Sequence, residues 1–166
     1  DVENALKKAC ANISSYNNSK HKELNRVRIG GISGNNVNGT IKRCINKGTI
    51  TGVWTGGISG MNGSDSGEGA IYECANYGSV SGVQSTYTGV ITYAGGITGA
   101  NAINNDGIIE DCYNAGPITA SKGNESSVGG IVGKGIAGGA TATQKNTYNR
   151  GITTGATYNR RSYRHG

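Results

Sequence analysis

The chain has 166 residues, a length typical of a single domain, and carries a formal net charge of +6. It contains 30 Gly, one Trp, one Pro and no Phe, and only 34% of its residues are hydrophobic. This composition excludes a thick globular core, but it suits a solenoid, in which each coil buries a thin apolar layer against its neighbours. No run of about 18 apolar residues exists, so we expect no membrane insertion.

The N-terminal segment, residues 1–28, is polar and differs from the rest of the chain. It contains Cys10-Ala11-Asn12, a truncated copy of a motif that recurs later, so we predict a cap or an incomplete first coil here. Because the chain lacks an initiator Met and begins part-way through a repeat, we expect it to be a part of a longer protein.

Basic residues crowd this N-terminal segment and a C-terminal tail, residues 156–166. No aromatic side chains are interleaved with them as a nucleic-acid-binding platform requires. We therefore interpret them as solvated ends and expect no nucleic-acid partner.

Three short motifs recur between residues 29 and 155, and each is bounded by Gly or Asn. The first, Gly-Gly-Ile-x-Gly, occupies residues 30–34, 56–60, 95–99 and 129–133. The second, Ile-x-x-Cys, occupies residues 41–44, 71–74 and 109–112, with a degenerate copy at 144–147. The third, Gly-x-Ile/Val-Thr/Ser, occupies residues 48–51, 78–81, 116–119 and 151–154. Such repetition predicts an all-β parallel β-solenoid of about four to five coils with three short strands each.

One position of the second motif holds Cys10, Cys44, Cys74, Cys112 and Thr147. Two residues later comes Asn in every copy, at Asn12, Asn46, Asn76, Asn114 and Asn149. Since equivalent positions of successive coils stack about 4.8 Å apart, we predict an inward column of reduced thiols, with disulfides as the alternative. Thr147 at this position favours packing over disulfide bonds, because a disulfide partner replaced by Thr would leave a thiol unpaired. No Cys-x-x-Cys or Cys-His spacing indicates a metal site. The Asn side chains are predicted to hydrogen-bond one another as a structural ladder.

The succession of Gly-Gly-Ile-x-Gly, Ile-x-x-Cys and Cys-x-Asn-x-Gly resembles the GLUG-motif repeats of bacterial surface proteins over about residues 29–155. The chain departs from that motif by using Ile for Leu, and by Ser33, Ser59 and Thr98 at a position that is apolar in the family. The resemblance implies a secreted or cell-surface location, often in adhesins or beside zinc proteases of the IgA-peptidase type. The protease chemistry itself is not implied, because the sequence after His21 lacks the second His of His-Glu-x-x-His.

Catalytic groups are sparse in the sequence. The two histidines, His21 and His165, lie in the end segments, far from a nucleophile motif. Glu73 and Asp111 share one repeat position, where they form either a solvated charge ladder, with Arg43 pairing Glu73, or a carboxylate pair. The acidic loops at residues 64–66 and 104–106 lack the ligand spacing of a calcium loop. We therefore predict no enzymatic activity, no metal and no cofactor.

Loops of unequal length separate the motifs at two recurring corners, and such insertions usually carry binding function. Trp54, Tyr87 and Tyr93 fall at the second corner, where they either stack on a sugar or cover the edge of the thin core. A separate row of outward hydroxyls, Thr49 and Thr51 followed by Ser79 and Ser81, is typical of ice-binding solenoids, although Pro117 and Ile152 interrupt it.

The sequence is therefore interpreted as an extracellular structural or adhesive repeat module, secreted or at the cell surface. It is expected to bind through its corner loops or by end-to-end stacking of copies. Expected partners are the chain itself, a surface glycan or a host protein. A carbohydrate-binding or polysaccharide-acting β-helix and an ice-binding solenoid are the alternatives.

Overall fold

The computed structural model describes residues 27–64, 66–83, 91–121, 126–137 and 140–155, which contain strands and turns only. The first coil comprises β1 Arg28–Gly30, β2 Ser33–Asn36, β3 Gly39–Lys42, β4 Ile45–Asn46 and β5 Ile50–Gly52. The second comprises β6 Trp54–Gly56, β7 Ser59–Asn62, β8 Gly69–Tyr72, β9 Ala75–Asn76 and β10 Val80–Gly82. The third comprises β11 Thr92–Gly95, β12 Thr98–Ile103, β13 Gly107–Glu110, β14 Tyr113–Asn114 and β15 Ile118–Ala120. The fourth comprises β16 Ser126–Gly129, β17 Val132–Ala137, β18 Ala142–Lys145, β19 Tyr148–Asn149 and β20 Thr153–Thr154.

Each strand pairs in parallel with the equivalent strand of the next coil. The result is five sheets of four strands, with orders β1-β6-β11-β16, β2-β7-β12-β17, β3-β8-β13-β18, β4-β9-β14-β19 and β5-β10-β15-β20. Repeat positions align in register, as in the pairs of Asn114 with Asn76 and with Asn149. The predicted all-β parallel β-solenoid is confirmed.

The prediction of three strands per coil was wrong, because each coil has five. The Gly-Gly-Ile-x-Gly motif is a corner between two strands: Gly56 ends β6, Gly57 and Ile58 turn, and Ser59 begins β7. A Cβ at Gly57 would overlap the carbonyl oxygen of Gly96 and the side chain of Asn76, so the corner requires glycine for the close approach of the next coil. The segment that begins at Trp54, expected to be a corner loop, is itself a strand.

Several predicted features lie outside the described residues. They are Cys10, Asn12, His21, Asp65, Tyr87 and His165, together with the predicted cap, apart from its last two residues, and the basic tail.

The core is a set of vertical columns contributed by equivalent positions. One cluster contains Ile41, Ile58, Ile71, Cys74, Ile97, Ile109, Cys112 and Ile131, and a second contains Val80, Ala94, Ile118 and Val128. Side chains alternate across each wall, as shown by Ile45, which is 57% exposed although Asn46 after it is buried. The core is therefore thin, and both the inner and the outer faces of each wall present columns of aligned side chains.

A left-handed corner precedes the Cys position in all four described coils. Arg43, Glu73, Asp111 and Asn146 have φ of 56°, 53°, 53° and 49°. Non-glycine residues adopt this conformation at a cost, which the hydrogen bonds of the flanking strands must offset. The corner turns the chain sharply, so the four side chains project outward while the next residue points inward.

Candidate functional site

The first Asn ladder is formed by the residues two positions after Cys. The side-chain amide of Asn46 donates to the Oδ1 of Asn76 at 2.8 Å, Asn76 to Asn114 at 2.7 Å, and Asn114 to Asn149 at 2.7 Å. Each amide also donates to the carbonyl of the glycine two residues ahead, as Asn76 does to Gly78 at 2.8 Å. Asn76 and Asn114 are fully buried, and this pairing supplies the partners that a buried amide needs.

A second Asn ladder, which the sequence analysis missed, runs through β2, β7 and β12. Asn36 donates to Asn62 at 2.7 Å, and Asn62 donates to Asn101 at 2.8 Å. All three are at most 6% exposed. The signal was an Asn two residues after the last glycine of Gly-Gly-Ile-x-Gly, with Gly135 in the fourth copy.

Hydroxyl groups near this second Asn ladder account for the polar residues within three of the Gly-Gly-Ile-x-Gly motifs. Ser33, Ser59 and Thr98 donate to the carbonyl two residues ahead, at 3.1, 2.7 and 2.8 Å. An apolar residue would leave these carbonyls without that partner, so polar residues suit the bend that begins each strand.

The cysteine column consists of Cys44, Cys74 and Cys112, all free thiols, with Thr147 in the fourth coil. Cys74 and Cys112 are 1% and 2% exposed, and their thiols donate to the carbonyls of Tyr72 and Glu110, both at 3.1 Å. Burial raises the pKa of Cys44, and the hydrogen bond between the other two thiols lowers the pKa of Cys74 and raises that of Cys112. Because Cys74 and Cys112 are buried and bonded to backbone carbonyls, they pack as small apolar groups, in keeping with a structural role.

Two of the three aromatic residues expected at the second corner are in contact. The rings of Trp54 and Tyr93 lie 4.8 Å apart at 48°, the Trp54 indole donates to the carbonyl of Ile91 at 3.0 Å, and the Arg28 guanidinium lies 5.5 Å from the Trp54 ring. Tyr93 is only 8% exposed, so its ring face is occupied by the protein. This arrangement matches the covering of a core edge more closely than an open sugar-stacking platform.

The acidic positions before Cys are engaged by neighbours. Glu73 pairs with Arg43 at 2.7 Å and with Lys42 at 2.9 Å, and hydrogen bonds from these two side chains lower its pKa. Asp111 accepts from the Asn146 amide at 3.0 Å. This is the charge ladder rather than a carboxylate pair. Within the described residues, no cluster of three or more His, Cys, Asp or Glu side chains is placed to hold a metal ion.

An exposed row of aromatic side chains, which the repeat pattern did not indicate, lies on the outer face of the sheet formed by β9, β14 and β19. The tyrosine row consists of Tyr77, Tyr113 and Tyr148, with ring centroids 5.9 Å apart at both steps. Tyr77 and Tyr148 are 51% and 63% exposed. The row was hard to recognise because its members occupy two different repeat positions, one and three residues after the Cys position.

The hydroxyl row lies on the adjoining sheet. Thr51, Ser81, Thr119 and Thr154 align in register. The Ser79 hydroxyl donates to Thr49 at 3.0 Å, and Thr119 to Ser81 at 3.4 Å. The tyrosine row and the hydroxyl row lie on the outer surfaces of two sheets that follow one another along the chain, together termed the outer wall.

Comparison with models of protein families, with curated proteins and with solved structures gives no match. The resemblance to GLUG-motif repeats therefore stays a prediction from the motifs. The described residues include no helix long and apolar enough to span a lipid bilayer.

Proposed function

We propose that this chain is an extracellular structural and adhesive repeat module, a short scaffold that presents outward side chains at fixed spacing. The observation that supports this most is the pair of Asn ladders, in which buried amides join successive coils. Interior side chains thus hold successive coils together, and the outward side chains, which vary from coil to coil, are available to bind a partner.

The scaffold is stiff for a physical reason. Parallel strand pairing joins each coil to the next in all five sheets, and the amide ladders add further hydrogen bonds between coils. Outward residues are therefore held at steps of about 4.8 Å along each wall with little freedom to move. A partner that binds several of these residues loses little free energy to their ordering, which favours adhesion through many weak contacts.

The proposed location is the cell surface or the extracellular medium, with a surface glycan, a host protein or another copy of the chain as partner. No catalytic step is assigned, since Glu73 and Asp111 are engaged by neighbouring side chains.

Of the two expected modes, binding through outward side chains such as those of the corner loops is favoured over end-to-end stacking of copies. The fourth coil places Gln144, Thr147 and Thr153 where the preceding coil has Ile109, Cys112 and Ile118. An apolar interior column thereby becomes polar at this coil, which makes it a poor template for another.

Beads coated with the purified chain test the proposal. They should remain attached under flow to surfaces carrying extracellular glycans or host-cell proteins, and heat-unfolded protein should lose this attachment. Absence of attachment to every such surface, or release of new reducing ends from a polysaccharide, would contradict an adhesive, non-enzymatic role.

A further inference from the structure

The outer wall after the Cys position concentrates the exposed apolar surface. Seven large apolar side chains are exposed among the described residues, and four of them lie on this wall: Ile45, Tyr77, Tyr148 and Ile152. Exposed apolar side chains concentrated on one part of a soluble protein often mark a binding surface. These side chains do not contribute to the stacked core, so we consider this wall as a binding surface.

The tyrosine row is preorganised. The rings of Tyr113 and Tyr148 are nearly parallel, at 4°, and the ring of Tyr77 meets that of Tyr113 at 63°. Each of these tyrosines adjoins an Asn of the first Asn ladder, which fixes the backbone beneath it. Little conformational entropy is lost when such a row binds a ligand. Aromatic rings with outward hydroxyls bind amphipathic rings such as sugars, whose C–H faces and hydroxyl groups they match.

The charge of the wall is one-sided. The outward positions one, three, five and seven residues after Cys contain Lys47 and Arg150 and no carboxylate in any of the four described coils. The carboxylates of Glu73 and Asp111 lie at the corner before Cys, where Glu73 is paired with Lys42 and Arg43 and Asp111 accepts a hydrogen bond from the Asn146 amide. The wall therefore attracts anions, most strongly at low ionic strength.

The geometry suits an extended chain. Lys47 lies in the first coil and Arg150 in the fourth, three coil steps apart, or about 14 Å at about 4.8 Å per step. Tyr77 and Tyr113 lie in the two coils between these cations, and Tyr148 lies in the same coil as Arg150. The hydroxyl row, including Ser81 and Thr119, follows on the next sheet. An oligosaccharide along this wall would contact aromatic rings, hydroxyl groups and a cation near each end.

We infer that the tyrosine row, with Lys47 and Arg150, binds an acidic polysaccharide that carries uronic-acid carboxylates. This inference rests on the proposed adhesive function and assigns it a ligand class and a face different from the Trp54 corner.

Titration of the folded chain with oligogalacturonate tests the inference, with a neutral cello-oligosaccharide of equal length as the comparison ligand. We expect binding of the acidic ligand, weakened by added salt, and at least about tenfold weaker binding of the neutral one. Tyr148→Ala and Tyr77→Ala should each weaken binding about tenfold, because each removes a large exposed contact. Lys47→Gln and Arg150→Gln should each weaken it by about threefold at low salt and by less at high salt.

Lys145→Gln, which removes an exposed cation on the neighbouring sheet, is the matched charge control and should leave binding unchanged. Circular dichroism reports whether each variant is folded, and the two charge variants keep the test decisive should a tyrosine variant fail to fold. Three results would each overturn the inference. The first is equal binding of the neutral and acidic ligands, and the second is no binding by the unmodified chain. The third is that Trp54→Ala loses binding while the tyrosine, Lys47 and Arg150 variants keep it. Bead attachment without oligogalacturonate binding would overturn the inference while leaving the proposed function in place.

Discussion

A buried asparagine is the residue on which the stacking depends. Its carboxamide donates and accepts at once, so one side-chain type can pass a hydrogen bond from coil to coil in a single direction. In both Asn ladders the amide nitrogen of one coil donates to the oxygen of the following coil. Neither Asp, which lacks the donor, nor an apolar residue can replace it in the middle of such a column.

Asn76→Ala should lower the free energy of unfolding by about 2 to 5 kcal/mol, because it leaves the buried oxygen of Asn114 without its donor and removes one of the two hydrogen bonds of the Asn46 amide. Asn149→Ala, at the partly exposed end of the same ladder, should cost about 1 kcal/mol. Urea denaturation of the two variants measures the difference. Equal losses would mean that the ladder does not contribute through buried pairing.

Acidification should weaken the corner ion pairs. Because Arg43 and Lys42 hold the pKa of Glu73 below its ordinary value of 4.5, the carboxylate stabilises the fold fully above that value. Its contribution is lost as the pH falls through the lowered pKa. In Glu73→Gln, the melting temperature should therefore depend less on pH below about 4.5. The difference should be small, because exposed ion pairs contribute little to stability.

The measurement for this prediction is thermal denaturation from neutral pH into this acidic range. Glu68→Gln, which removes another exposed carboxylate, is the control. A pH dependence in Glu73→Gln identical to that of the unmodified chain would show that the ion pairs contribute nothing.

At the scale of the strand and the corner, the sequence predicts which residues of successive coils align better than it predicts which segments are strands and which are corners. The Cys and Asn of the second motif keep one register through four described coils, so their inward alignment follows from the repeat alone. The Gly-Gly-Ile-x-Gly corner was mistaken for a strand, because an Ile between glycines satisfies both a short strand and a tight turn. Asn36 was missed because it lies among other asparagines at residues 35–38, where only the pairing with Asn62 distinguishes it.

The aromatic residues illustrate a second limit. The repeat pattern placed Trp54 and Tyr93 at a corner, and parallel pairing of β6 with β11 puts one directly over the other. Their contact buries Tyr93, which a linear pattern cannot reveal. Conversely, Tyr77 and Tyr113 occupy different repeat positions, and only the three-dimensional stacking brings their rings together.

The fourth coil offers an element-scale test at Gly135, which aligns with Asn101 at the end of the second Asn ladder. A Cβ at Gly135 would meet no atom within 4 Å. Gly135→Asn should therefore be tolerated and should stabilise the fold by about 0.5 to 1 kcal/mol, because the new side chain can accept from Asn101.

Gly57→Ala is the opposing control, and it should destabilise by more than about 2 kcal/mol, since its Cβ would overlap the backbone of the next coil. Thermal melting compares the two variants. Comparable destabilisation by both would contradict the stacking of Gly135 on Asn101.

For the whole molecule, the last described coil differs from the others in the polarity of its interior positions. Gln144 donates to the Thr147 hydroxyl at 2.8 Å, at positions where the third coil has an apolar Ile109 and Cys112. Hydrogen bonds within the coil thus replace apolar stacking at this level. The fourth coil is therefore polar at these interior positions, while the outer wall carries the tyrosine row.

The double variant Gln144→Ile with Thr153→Ile should convert this polar surface into an apolar one and promote concentration-dependent association. Sedimentation velocity measures the oligomeric state. Thr143→Ile, which adds similar apolar area at the outward position between Ala142 and Gln144, is the control and should associate less. A double variant that remains as monomeric as the control would contradict the interpretation that the polar fourth coil disfavours stacking of copies.

The stacking of coils in register underlies both proposals, and nuclear magnetic resonance of the asparagine side-chain amides tests it most directly. We predict slow hydrogen exchange for the side-chain amides of Asn46, Asn76 and Asn114, with nuclear Overhauser effects from each to the asparagine of the following coil. Amides that exchange as fast as those of an unfolded chain, and contact only residues of their own turn, would contradict in-register stacking.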